Sequence, residues 1–156
     1  MKKFELTNEF ITNMFGTKLF RIRALVEFGD VEAGELGGYV EKESNLGHDD
    51  NAWVYDNAWV YGDAQVSGDA RVCGNGDYAY AHGFGSVNRT TTFFRLKDGG
   101  VGVRCGCFYG TLAQFRDKIR ETHGESAIAE EYLDLAALME KRFRRTGNEQ
   151  KTEEES

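Results

Sequence analysis

The chain has 156 residues, 40% apolar content and a formal net charge of −7, enough for one domain with a modest core or for two small modules packed together. No apolar run approaches the ~20 residues of a membrane span. The start, Met1 to Glu5, lacks the apolar stretch of a signal peptide, and three cysteines make no disulfide framework in a chain of this length, which points to a reducing, cytoplasmic setting.

Residues 1–28 read as a β-hairpin. Phe4, Leu6, Phe10 and Ile11 form a first apolar group, and Phe20, Ile22, Ala24 and Val26 alternate with Arg21, Arg23 and Leu25, the period of a strand with one covered face. Residues 29–77 are governed by a different period. Val54, Val60, Val66 and Val72 stand six apart, and Ala52, Ala58, Ala64 and Ala70 precede each by two. Asp56-Asn57, Gly62-Asp63, Gly68-Asp69 and Gly74-Asn75 fill the gaps. Each unit therefore reads as a very short strand with a corner. Ala and Val share a face because side chains alternate along a strand, and Gly, Asn and Asp tolerate the positive φ of a corner. A helix is excluded, since six is out of phase with 3.6. Units this small bury a core only by stacking. Asn45-Leu46 continues the frame backwards with Leu46 in an alanine position, which puts His48 in a valine position. The hairpin is expected to cover the open end of the stack.

Residues 78–145 read as an α+β module. Two strands, Thr90 to Lys97 and Val101 to Phe108, flank the turn signal Asp98-Gly99-Gly100. Thr111 and Gln114 make a capping box for a helix that buries Leu112, Phe115 and Ile119 and ends at Gly124. Ser126 caps a second helix with Ile128, Tyr132, Leu135, Met139 and Phe143 on one side. Residues 146–156 are polar and acidic, the composition of a disordered tail. The charge divides along the same lines. Eleven acids face two bases between Gly29 and Asp77, and eleven bases face eight acids between Tyr78 and Arg145. The acidic repeat region is not expected to hold nucleic acid, whose backbone is bound by Lys and Arg.

On the hexads from Asn51 to Gly74, the chain resembles the hexapeptide-repeat proteins with a left-handed parallel β-helix. The lead-in from Phe20 to Leu46, with its Gly37-Gly38-Tyr39-Val40 turn and Asn45-Leu46 step, is similar to a subgroup of small bacterial and bacteriophage proteins. The C-terminal portion resembles a module of small phage proteins at Gly85-Ser86, Arg89 to Phe93, Cys105-Gly106-Cys107-Phe108, Gly110-Thr111 and Thr122-His123-Gly124. That module brings no established activity with it. Together with the resemblance, the reading is a mainly β fold with C-terminal α: a short left-handed parallel β-helix stub, an N-terminal hairpin, then a hairpin and two helices.

Many β-helix proteins of this type are trimeric acyltransferases that use a histidine base and acyl-CoA. His48 beside Asp49 and Asp50 is the candidate base here. Two coils, however, offer a short trough for so long a cofactor, and fold alone does not establish function. Cys105-x-Cys107 puts two thiols on one strand face, but structural zinc wants four ligands and wider spacing, so packing is the better account and no metal or cofactor is expected. Ser86, Arg89, Thr90, Thr91 and Thr92 gather hydroxyls and a guanidinium at a strand entry, a candidate anion or nucleotide-phosphate cradle. Trp53, Tyr55, Trp59 and Tyr61 flank inward valines, so they are expected outside, as a contact surface or packed under the C-terminal module. The reading is a non-enzymatic binding protein of phage type. It would inhibit a bacterial defence system by occupying a host protein or by sequestering a nucleotide signal. The alternative is the acyltransferase, and a homo-oligomer is compatible with either.

Overall fold

A computed structural model of the chain describes residues 2–85 and 89–155, with side chains through Gly147. The fold is mainly β, with two helices at the C-terminal end. Strands β1 (Phe4–Thr12) and β2 (Lys18–Ala24) form the expected antiparallel hairpin. Strand β2 then pairs with β3 (Leu36–Val40), which pairs in parallel with β5 (Trp59–Val60). One sheet, ordered β1-β2-β3-β5, thus runs from the hairpin into the hexads. Gly37 and Gly38 lie inside β3 and make no turn, contrary to the sequence reading. A Cβ at either position would stand 2.6 Å from a carbonyl, that of Val54 or Ala58. Only glycine lets β3 lie this close to its neighbours.

From Ala52 to Val72 the hexad frame holds. Ala52, Val54, Ala58, Val60, Ala64, Val66, Ala70 and Val72 are all buried in one cluster with Val40 and Leu46. Corners at Asp56, Gly62 and Gly68 take φ of 55°, 68° and 65°. The pairs are parallel: Val40 with Val60, Leu46 with Val66, and Val54 of β4 (Trp53–Val54) with Val72 of β6 (Arg71–Val72). Two rows of three apolar residues therefore lie over one another. Leu46 occupies a valine position, not an alanine position. Eight residues, not six, separate it from Val54, so the upper row contains two extra residues. His48 falls in that extra length rather than in a hexad.

Side chains from the flanking parts meet the backbone of both rows. Lys3 is buried, and its Nζ donates to the carbonyls of Asp50 (3.1 Å) and Ala52 (2.6 Å) and to Asp50 Oδ1 (3.1 Å). Below, Asn75 Oδ1 accepts from Trp59 N–H, Thr92 Oγ1 from Gln65 N–H and the Tyr109 hydroxyl from Asp69 N–H, at 2.8–3.0 Å. Phe4, Ile22 and Trp53 close the core on one side, and Tyr78 and Phe94 on the other.

The second sheet is ordered β10-β9-β8-β7, all antiparallel. Strands β8 (Arg89–Arg95) and β9 (Val101–Cys105) are the expected hairpin. The longer second strand of the sequence reading is broken, because Gly106 takes φ 60° and turns the chain into β10 (Phe108–Thr111). The sequence reading also assigns no element to β7 (Tyr78–Phe84). Helix α1 (Leu112–His123) has its capping box, with Thr111 Oγ1 accepting from Gln114 N–H and Gln114 Oε1 accepting from Thr111 N–H. Helix α2 (Ala127–Glu155) is capped by Ser126. Phe115, Ile119, Tyr132, Leu135, Met139 and Phe143 bury one core with Phe93 and Val103. Helix α2 runs to Glu155, through the stretch read as a disordered tail. Thr146 belongs to the core edge, where Arg95 Nη2 donates to its hydroxyl (3.0 Å) and to Phe143 O (2.9 Å). Glu, Gln and Lys are good helix formers, so a polar extension costs the helix little. Among the described residues no helix is long and apolar enough to cross a membrane.

Candidate functional site

His48 lies in the cap over the upper row. Its ring stacks on Phe4 at 4.3 Å, nearly parallel, and Nδ1 accepts the Lys3 N–H at 3.1 Å. Asp50 does not orient it, since its carboxylate takes Lys3 Nζ and the N–H groups of Ala52 and Gly68. The surroundings that sequence reading assigned to an acid–base residue are those of a packing residue.

The four aromatics separate. Trp53 is fully buried, edge-on to Phe4 and Phe28, so it offers no contact surface and packs under the N-terminal hairpin, not the C-terminal module. The sheet β1-β2-β3 carries the hairpin over this strand, where Phe4 meets Trp53. Trp59 is half-buried. Tyr55 is half-buried with Arg71 over its ring at 4.9 Å. Tyr61 is exposed. Tyr55 and Arg71 line an open cleft of about 590 Å³ with Asp30, Asp69, Lys97 and Asp98, a set of mixed sign in which Lys97 pairs with Asp30 at 3.1 Å.

The hydroxyl cradle is not assembled as expected. Ser86 lies outside the described residues. Thr91 and Thr92 are wholly buried, Thr91 donating to Cys105 Sγ (3.4 Å) and Thr92 accepting from Gln65. Thr90 bonds His82 Nδ1 at 2.7 Å. Residues 90–92 alternate across a paired strand, so they cannot face one ligand together.

Arg89, by contrast, opens onto a cavity of about 320 Å³ lined also by Gly85, Cys105, Cys107, Phe108, Phe115, Lys118, Ile119, Thr122, His123 and Tyr132. Strand β8 supplies the guanidinium, the β9–β10 turn the thiols, the last turns of α1 Lys118, Thr122 and His123, and α2 Tyr132. Phe115, Ile119 and Tyr132 make an apolar floor, with the His123 ring stacked on Tyr132 at 6.1 Å. Burial, then the neighbouring Cys105 thiol, pushes the Tyr132 hydroxyl up to about 12, with Arg89 opposing. It stays neutral and a donor. The lining contains Arg89, Lys118 and His123 and no carboxylate. Lys118 has one loose partner, Glu121 at 3.9 Å, and Arg89 has no carboxylate partner among the described residues. In a chain of net charge −7, this is a local positive site over an apolar floor, the composition that holds a small organic anion.

Sequence reading found Arg89 but not its companions. Lys118 and Thr122 sit beside Ile119 on the helix face that carries Phe115 and Ile119, an i, i+3, i+4 relation that was legible. Tyr132 was read as core, which it also is. Gly85, Arg89, Cys105, Cys107, Phe108, Thr122 and His123, scattered over 39 positions of sequence, surround one cavity. The two cysteines share it from opposite ends of a turn rather than from one strand face. Among the described residues no three His, Cys, Asp or Glu side chains are grouped to hold a metal. No protein-family model matches the sequence, and no curated protein matches it.

Proposed function

We propose that the protein binds a small organic anion, of the nucleotide-phosphate class, in the cavity between the β8–β10 sheet and the two helices. One observation carries the reading: the lining gathers Arg89, Lys118 and His123 around an apolar floor and includes no carboxylate. A guanidinium binds phosphate or carboxylate through paired N–H donors, and Phe108, Phe115 and Tyr132 give an aromatic or aliphatic portion a surface to cover. We also propose that the hexads form a short left-handed parallel β-helix of two coils. The parallel pairs and the resemblance support this, and its work is to hold the hairpin and the binding module. With the phage-type resemblance, the binding reading extends to sequestration of a nucleotide signal in a host defence system, without chemistry on the ligand.

Calorimetry with adenosine monophosphate and with inorganic phosphate tests the reading. Binding is expected for the nucleotide, weakened about tenfold or more by Arg89→Gln, as the loss of a charge-assisted contact implies, and weakened further by salt. Equal affinity of wild type and Arg89→Gln, or no heat from either anion, refutes it.

A further inference from the structure

We propose that this cavity is also a thiol–disulfide exchange site, in which Cys107 attacks an anionic low-molecular-weight disulfide held by Arg89 and Lys118, and Cys105 resolves the adduct. The proposal rests on the anion-binding reading and adds a reaction to it.

Both thiols line the cavity. Cys105 pairs with Phe108 across the β9–β10 hairpin, so Gly106 and Cys107 are its two turn residues. Positions i and i+2 of so tight a turn lie near the ~5.5 Å Cα separation of a disulfide. Their exposures differ in the useful sense. Cys107 is exposed and can be reached by a ligand, while Cys105 is half-buried behind it. Thr91, fully buried, donates its hydroxyl to Cys105 Sγ at 3.4 Å, and the Tyr132 hydroxyl lies 3.8 Å from the same sulfur. Two hydroxyls thus face that sulfur. The Arg89 side chain lies against Gly106, between the two cysteines, where a Cβ would collide with its Nη1. The guanidinium is thus placed to hold an anionic disulfide within reach of both sulfurs. Cys73, the third cysteine, is an internal reference. It is exposed and outside the cavity, and desolvation of its sulfur pushes its thiol up, with Arg71 opposing.

The exchange balances. The Cys107 thiolate attacks one sulfur of the ligand, the ligand S–S bond breaks, one thiolate leaves and a mixed disulfide forms on Cys107. The Cys105 thiolate then attacks the Cys107 sulfur, expelling the second ligand thiolate and closing a Cys105–Cys107 disulfide. The protein loses two protons and two electrons, and the ligand is reduced to two thiols.

The test uses the reduced full-length protein with two probes, oxidised glutathione, which is anionic, and cystamine, which is a dication. Exchange is quenched by alkylation and read by intact mass and peptide mapping. The expected wild-type product with oxidised glutathione is an internal Cys105–Cys107 disulfide, formed at least about tenfold faster than any product at Cys73. Cys105→Ser should accumulate the glutathione adduct on Cys107. Arg89→Gln, or Lys118→Gln at the exposed helix surface if the first does not fold, should abolish the preference for the anionic probe over cystamine. Three outcomes overturn the proposal: equal rates at Cys73 and Cys107, no preference for the anionic probe, or no internal disulfide. If adenosine monophosphate binds while any of these holds, the exchange proposal fails and the binding reading stands. If exchange is selective but adenosine monophosphate does not bind, the nucleotide assignment fails instead.

Discussion

Lys3 gives the most direct test of how the stack is closed. Its side chain is 3% exposed and its partner Asp50 24% exposed. The ammonium makes three bonds to Asp50 and Ala52 and lies 4.5 Å from the centre of the Phe28 ring. Lys3→Met keeps the stem and removes the charge. Two carbonyls and one carboxylate oxygen then lose their donor. Breaking a fully buried pair costs about 3–5 kcal/mol. Asp50 is partly hydrated and keeps its bonds from Ala52 and Gly68, so we expect about 2–3 kcal/mol. For a domain of this size that lowers Tm by about 5–10 °C. Asp50→Asn should cost a similar amount, and the double variant less than the sum of the two. The pH dependence has a definite sign. Burial holds the Lys3 amine below its ordinary value of 10.5, with Asp50 opposing. Between the folded value and 10.5 the unfolded chain binds more protons, so this group's contribution to stability rises with pH through that window and is smallest below it. Lys3→Met removes that slope. Thermal melts at pH 7 and pH 10 read both effects. A Tm within about 2 °C of wild type at pH 7, with an unchanged slope, would show that Lys3 does not close the stack.

Val60→Asp buries an unpaired carboxylate where Val60 packs at 0% exposure; a loss of several kcal/mol is expected, and a cooperative melt matching wild type counts against the paired rows. Gly106→Ala puts a Cβ into Arg89 at φ 60°; it should cost about 1 kcal/mol in urea denaturation and weaken nucleotide binding with it, and unaltered affinity would separate the turn from the site. Arg95→Met removes its bonds to the Phe143 carbonyl and Thr146 hydroxyl, leaving only the bond between those two groups; amide exchange near 143–147 should quicken by about tenfold, and unchanged exchange would mean the helix end is held otherwise.

The sequence reads best where one period dominates. Eight Ala and Val positions between 52 and 72, the α1 capping box and the helix faces were legible because local pattern and burial agree. The frame failed at Leu46 and His48, where two extra residues leave no local trace and the register is set by pairing with Val66. Trp53 was read outward from strand alternation, which takes no account of a hairpin from residues 1–24 covering that side. The turn at Gly106 was hidden by a run of strand formers on either side. The cavity was legible only in fragments, because Arg89, Lys118 and Tyr132 are joined by tertiary packing of β8, α1 and α2.

Lys3, Asn75, Thr92 and Tyr109 take hold of main-chain groups of the two rows, so these bonds recur wherever the same backbone recurs. Length is therefore separable from attachment. In the two-coil β-helix we propose, eighteen residues carrying the same alternation, inserted between Val54 and Val72 in register, would present these side chains with the same main-chain groups. The hairpin and the C-terminal module would move apart by one strand spacing, about 4.8 Å per added layer. A chain coiled in this way is a ruler with fixed ends, whose span changes only in whole steps.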